Sequence, residues 1–194
     1  MPLRFEQFNE GAKKERGPEF DREAEKEKRK KIRKLLEKSI SAPLKESGFK
    51  KSGQSYWLRK AGDRLQLVYL QRSQVSHQYF IEAGVCLSGD VPEGKKPDIV
   101  YCKIRERIEK VISDTDKVRG SKEQGDATKE KVKRIYSALQ FEVPGGLEKY
   151  PNEYYFPSVS IEEAQQKIEE IAGAVKEYIP KWLDDQSGDE IGKK

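Results

Sequence analysis

Ser55-Tyr56-Trp57-Leu58-Arg59-Lys60-Ala61-Gly62-Asp63-Arg64-Leu65-Gln66-Leu67-Val68-Tyr69-Leu70-Gln71-Arg72 is the stretch on which the fold turns. Its apolar residues alternate instead of recurring every third or fourth position, as in strands whose successive side chains point to opposite faces. Tyr56 and Leu58 share one face and Trp57 takes the other. After a turn at Ala61-Gly62-Asp63, Leu65, Leu67 and Tyr69 oppose Val68 and Leu70. Ser73 to Ser76 supplies a second polar turn. His77 to Leu87 follows as a third strand, with Tyr79, Ile81, Ala83, Val85 and Leu87 on its inner face. Three consecutive strands joined by short turns predict an antiparallel meander.

Both flanks of this meander read as helix. Upstream, Glu and Lys alternate from Glu23 to Lys28, a pattern of favourable pairs on a solvated helix. A core-facing stripe starts at Ile32 and continues through Leu35, Leu36, Ile40 and Leu44. Pro43 is expected to bend or restart that helix, and Gly48 to end it. Downstream, Ser160-Ile161-Glu162-Glu163 is a capping-box pattern. The stripe Ala164, Ile168, Ile171, Ala172, Val175 and Ile179 then runs to Pro180, with Trp182 and Leu183 as a final anchor.

Between these elements, Ile99 to Ile112 reads both ways. Val100, Cys102 and Ile104 alternate like a strand, whereas Ile104, Ile108, Val111 and Ile112 fit a helix; a strand running into a helix or turn near Glu106 is expected. Ser113 to Thr128 reads as a loop, Lys129 to Leu139 as a short helix, and Pro144 to Pro157 as irregular and aromatic. The expected class is α+β, an antiparallel meander of three to four or more strands covered by an N-terminal and a C-terminal helix. The expected organisation is a flexible charged tail over 1–18, a solvated basic helix extension over 19–31, one domain over 32–184 and a frayed tail over 185–194.

The chain has 194 residues, 35% hydrophobic and 38% charged, with a net charge of +5. Residues 1–50 carry fifteen Lys and Arg against ten Asp and Glu, so the whole excess lies there. Attraction to phosphate therefore belongs to the N-terminal segment. The row Lys26, Lys28, Arg29, Lys30, Lys31, Arg33 and Lys34 carries it, either as a phosphate-neutralising face or as a solvated helix end. Glu23, Glu25 and Glu27 offset it in part.

Catalytic patterns are sparse. His77 is the single histidine and Cys86 and Cys102 the two cysteines. That set lacks zinc-ligand spacing, so no metal and no cofactor are expected. His77 follows a turn and reads as an exposed loop residue. Some nine residues of strand, ~30 Å, would separate it from Cys86, against a nucleophile–base pair. Met1 to Arg16 lacks the apolar core of a secretion signal, and no apolar run is long enough to span a bilayer. Cytoplasmic, reduced thiols are expected. Glu82, flanked by Phe80, Gly84 and Cys86, is the unusual carboxylate of the third strand, with Arg72 or Gln66 as expected partners. Gly145-Gly146 lacks the following Lys-Ser/Thr of a phosphate loop.

The succession Pro43-Leu44-Lys45-Glu46-Ser47-Gly48-Phe49-Lys50-Lys51 ahead of Tyr56-Trp57 resembles the opening of a bacterial family, domain of unknown function 4304. Leu65 to Ser73 and Tyr79 to Val85 are similar to its second and third strands. Cys102 to Arg107 and Pro180-Lys181-Trp182-Leu183 resemble later segments, so that the resemblance spans 32–184. It implies an α+β fold and a bacterial origin, and it brings no activity. With no catalytic constellation, the expected function is a non-catalytic protein-binding module of immunity- or defence-accessory type. The alternative is a nucleic-acid-associated accessory that binds phosphate weakly and without sequence preference through the basic helix. Neither involves a membrane, and an enzyme using Glu82 or Arg105 is the third class.

Overall fold

The computed structural model describes residues 21–74, 76–119, 122–143 and 158–186. The tails expected over 1–18 and at the C-terminal end from 187, the irregular stretch 144–157 and Gly145-Gly146 lie outside these residues. The elements are α1 (Arg22–Glu46), β1 (Lys50–Lys51), β2 (Tyr56–Ala61), β3 (Arg64–Arg72), β4 (Tyr79–Leu87), β5 (Ile104–Arg107), α2 (Ile108–Arg119), α3 (Lys122–Ala138) and α4 (Ile161–Asp185). Single 3-10 turns at Ser88–Asp90 and Ile99–Tyr101 lie between β4 and β5. The five strands form one antiparallel meander in chain order. The class is α+β, with helices at both ends of the chain covering the sheet.

Turn chemistry sets the register. Ala61 pairs with Arg64, which leaves Gly62-Asp63 as a two-residue hairpin loop. Gly62 takes the positive φ of 65° that such a loop requires. Every β2–β3 pair follows from that turn: Trp57 opposite Val68, Leu58 opposite Leu67, Tyr56 opposite Tyr69.

The sheet is buried on one face and covered in part on the other. One face sets Trp57, Val68, Leu70, Tyr79, Ile81, Ala83 and Val85 against the stripes of α1 and α4 and against Ile108, Val111 and Ile112 of α2. The other carries Leu67 and Cys86, covered by Ile99 and Cys102 from the 88–103 connection, with Leu58, Leu65 and Val91 packed around them. This connection is a strap. Gly84 lets it close down, because a Cβ there would stand 2.7 Å from Ile99 Cδ1 and 3.0 Å from Cys102 Cβ and Sγ. Cys86 and Cys102 are free buried thiols in contact. Cys102 is pushed up first by its hydrogen bond to Cys86 and then by burial.

Tertiary burial overrides three local signals. Pro43 does not restart α1, which runs unbroken to Glu46 because Ile40 and Leu44 must stay on one buried stripe. Pro180 does not end α4, which continues to Asp185 and buries Tyr178, Ile179, Trp182 and Leu183. At ~1.5–3 kcal/mol per buried large side chain, that burial exceeds the ~3 kcal/mol cost of an interior proline. Most of Ser113–Thr128, expected as a loop, is helix in α2 and α3. Polar contacts replace the missing apolar stripe there: Thr128 donates to Asp116 Oδ2 at 2.8 Å, and Tyr178 of α4 reaches the same oxygen at 3.4 Å. The expected strand–helix succession near Glu106 is present, but Val100 lies in a 3-10 turn and Cys102 just after it, and the strand begins at Ile104.

Gly84→Ala tests the strap. With no room for a methyl group, the substitution is expected to destabilise by ~1–3 kcal/mol. Lifting of the strap would also raise the rate at which Cys86 and Cys102 react with a thiol reagent under native conditions. Unchanged urea midpoint and thiol reactivity would show that the strap gives way freely.

Candidate functional site

The strap covers only part of its face. Beyond it a cross-strand row stays open: Tyr56 opposite Tyr69, Tyr69 opposite Glu82, Glu82 opposite Arg107. The tyrosine rings stack with centroids 4.3 Å apart and planes 12° from parallel. Burial, reinforced by the Asp98 carboxylate, raises the Tyr56 phenol well above its ordinary range and keeps it protonated. Arg107 lies 3.8 Å from Glu82 Oε1 and covers the Phe80 ring at 4.3 Å. Arg72 and Gln66, the partners expected for Glu82, point to the opposite face, since they pair with Tyr79 and Val85 in a register that alternates with Glu82. Gln66 instead donates to the Leu183 carbonyl at 2.9 Å.

This row is one wall of a groove of about 1130 Å³ along β5, whose outer edge carries no strand among the described residues. Asp98, Val100 and Arg105 border it on the strap side; Val132, Lys133 and Tyr136 of α3 border it on the helix side. Val100 and Tyr136, 62% and 47% exposed, are the two large apolar side chains left exposed among the described residues, and both line this groove. Glu109 Oε2, also from the lining, is buried without a hydrogen-bond partner among those residues. Arg105 is exposed and has no ion-pair partner among them.

A second pocket of about 470 Å³ lies at the far end of the sheet. Arg22, Lys26, Arg29, Lys30 and Arg33 reach it from one face of α1, together with Arg72 at the end of β3, Tyr79 at the start of β4, and Glu23 and Glu25. The structure thus brings together five of the basic residues singled out in the sequence, while Lys28, Lys31 and Lys34 do not line it. Much of the row is engaged within its own helix. Lys26 pairs with Glu23, Lys28 and Arg29 with Glu25, Lys30 with Glu27 and Arg33 with Glu37. Within the stretch expected to be solvated, Glu25 and Arg29 are buried.

Behind the pocket is a closed polar cluster that sequence reasoning missed. His77 is fully buried, not an exposed loop residue. Its Nδ1 lies 2.7 Å from Ser158 Oγ, and Ser158 bonds through both hydroxyl and backbone N–H to Glu25 Oε1. The Ser158 hydroxyl proton therefore goes to Glu25, Nδ1–H donates to Ser158, and Nε2 is left to accept from Tyr79 at 3.4 Å. Burial opposes ionisation of Glu25, yet hydrogen bonds from Ser158, Lys28 and Arg29 outweigh it and hold the carboxyl below its ordinary range. Burial pushes His77 down to about 3, and the Arg29 and Arg72 charges act the same way. The hydroxyl is 97% enclosed with its residue and donates to a carboxylate, an arrangement for structural satisfaction and not for nucleophilic attack. No local pattern marks His77, because Ser158 and Glu25 come from distant elements. Among the described residues no three His, Cys, Asp or Glu side chains form a metal-binding group, and no helix is long and apolar enough to cross a membrane.

Residues 40–144, more than half of the chain, match the family described as a domain of unknown function, DUF4304. The chain belongs to this family. The match takes in β1 to β5, α2 and α3, and with them every residue named in the β5 groove; Arg22 to Arg33 of the basic pocket precede it. No curated protein and no solved structure matches the chain.

The buried histidine gives stability a definite pH dependence. Its pKa is lower folded than unfolded, so its contribution is complete above the unfolded value of about 6.5 and is lost as pH falls from there toward about 3. The slope from this one group is ~1.4 kcal/mol per pH unit inside that window. Glu25, also lowered by folding, adds loss in the same direction at the acid end. Urea midpoints at pH 7.5, 6.0 and 5.0 should fall accordingly, and His77→Gln should be less stable at pH 7.5 but show a flatter slope to pH 5. An equal slope in both proteins would remove His77 as its source.

Proposed function

We propose that this protein is a non-catalytic module that binds another protein, and that the partner docks as an extended segment in the groove along β5. The carrying observation is that the two large apolar side chains exposed among the described residues, Val100 and Tyr136, both line one groove beside the edge strand of the described sheet. A strand edge presents unpaired backbone donors and acceptors to any added strand, and alternate side chains of that strand then find pockets on either side. Here those pockets are the Tyr56–Tyr69 stack and the α3 face at Tyr136. Charges of both signs, Glu82 and Asp98 against Arg105, Lys110 and Lys133, favour a mixed polar–apolar peptide over a polyanion. Cytoplasmic residence and an accessory role in immunity or defence are consistent with such a module and rest on its composition and lack of catalytic geometry. The alternative, a nucleic-acid accessory acting through the basic helix, is less supported because five of its seven cations pair with carboxylates of the same helix.

A photo-crosslinking amino acid placed at Val100 or at Tyr136 in the full chain tests this reading in cells. Both positions are expected to capture the same protein, and Lys38 on exposed α1 to capture none. With that partner purified, Tyr136→Asp and Arg105→Glu should each weaken binding at least ~10-fold, about 1.4 kcal/mol, at unchanged thermal midpoint. Different captured proteins at the two positions, or affinity indifferent to both variants, would refute the groove as the docking site.

A further inference from the structure

We propose that the pocket between α1 and the β3–β4 end is a binding site for a small phosphate-class dianion, independent of the β5 groove. Six cationic side chains and two carboxylates line it, and the concavity, about 470 Å³, has the size of a small-molecule site. Small-molecule sites lie in the range ~300–1,000 Å³. Arg72 stands at its rim, exposed, with no side-chain hydrogen bond or ion pair among the described residues. A guanidinium fork is the side chain best matched to phosphate oxygens.

The walls are fixed before any ligand arrives. Glu25 ties α1 to Ser158, Lys28 donates to the Ser158 carbonyl at 2.8 Å, and Arg33 is held by Glu37 and by Ser55 Oγ. Tyr79 forms a floor that is 1% exposed. Lys26 and Lys30 differ from these. Their side chains are 62% and 57% exposed and their partners Glu23 and Glu27 are exposed as well. Such solvated pairs hold little free energy, so a dianion in the pocket competes successfully for both ammonium groups. The convergence of charge is already felt by the buried groups behind it, where Arg29 and Arg72 both disfavour a proton on His77.

Shape separates a compact anion from a polymer. A nucleic-acid backbone is tracked by cations spread along a surface. Here Lys31 and Lys34 lie outside the lining, and the α1 cations that do line it share one concavity with Arg72 from β3.

Binding of inorganic phosphate to the full chain, followed by calorimetry in a phosphate-free, low-salt buffer, tests the proposal. One saturable site is expected. Arg72→Ala should weaken it at least tenfold, Lys26→Ala by less, and Lys34→Ala, a charge removed outside the pocket, not at all. Arg72 is exposed, so its variant should keep the wild-type thermal midpoint in phosphate-free buffer; Lys26→Ala provides the same reading should it fail to. Absence of saturable binding, or equal weakening by Lys34→Ala, would overturn the site in favour of diffuse attraction. A single-stranded oligonucleotide bound more tightly than phosphate, with a salt dependence of several contacts at ~0.7 each on the log–log scale, would overturn it in favour of a polymer surface.

Discussion

A strand that is apolar on both faces must be covered on both, and Tyr79–Leu87 is such a strand: Tyr79, Ile81, Ala83 and Val85 are buried on one side and Gly84 and Cys86 on the other. Helices satisfy the first face because α1 and α4 each present a single stripe that needs a partner. The second face is covered in part by the 3-10-turned strap. Its closure depends on the absence of a side chain at Gly84. Where the strap ends, the Tyr56, Tyr69, Glu82 and Arg107 row begins. The open groove is thus the remainder left by incomplete coverage, and the residues that fill it are amphipathic ones that tolerate both core and water.

The opposite end of the sheet is closed by polar chemistry instead. Glu25, Ser158 and His77 come from three separate parts of the chain and satisfy one another in a dry site. A buried carboxylate at that position costs free energy unless donors surround it. Ser158, Lys28 and Arg29 supply them, which explains why basic residues crowd α1 there. Part of the positive excess of residues 1–50 is therefore structural. It offsets a buried anion and ties α1 to Ser158.

What was legible in the sequence follows from how far each contact reaches. The Tyr56–Tyr69 stack was readable in principle, because a two-residue turn at Gly62-Asp63 dictates that pairing, but the expected turn, Ala61-Gly62-Asp63, is one residue longer and leaves the register open. The strand faces, both flanking helices and the Trp182–Leu183 anchor were readable for the same local reason. His77 was not, because its partners lie in α1 and at Ser158, and a polar residue after a turn carries no sign of them. The pairing of Glu82 also failed. The alternation that put Glu82 with Phe80, Gly84 and Cys86 was right, but Arg107 belongs to a strand whose register no turn of fixed length sets. The helices over 113–128 were hidden because Asp116 and Thr128 hold them together by hydrogen bonds in place of an apolar period.

The distribution of charge on α1 separates two meanings of a basic sequence. Carboxylates at Glu23, Glu25, Glu27 and Glu37 sit three or four residues from the cations they meet, which are the spacings that bring side chains together on a helix. Seen from farther than a Debye length, ~8 Å at physiological salt, such pairs nearly cancel and attract a polyanion little. Within the pocket the sum is different, because Arg72 arrives from β3 and adds a cation that no helix carboxylate answers. A count of cations alone therefore overstates the outward reach of the helix, and net charge along the chain does not register the local field where helix and sheet meet. The fold strengthens that field by placing a strand end against a helix face that already carries more cations than carboxylates.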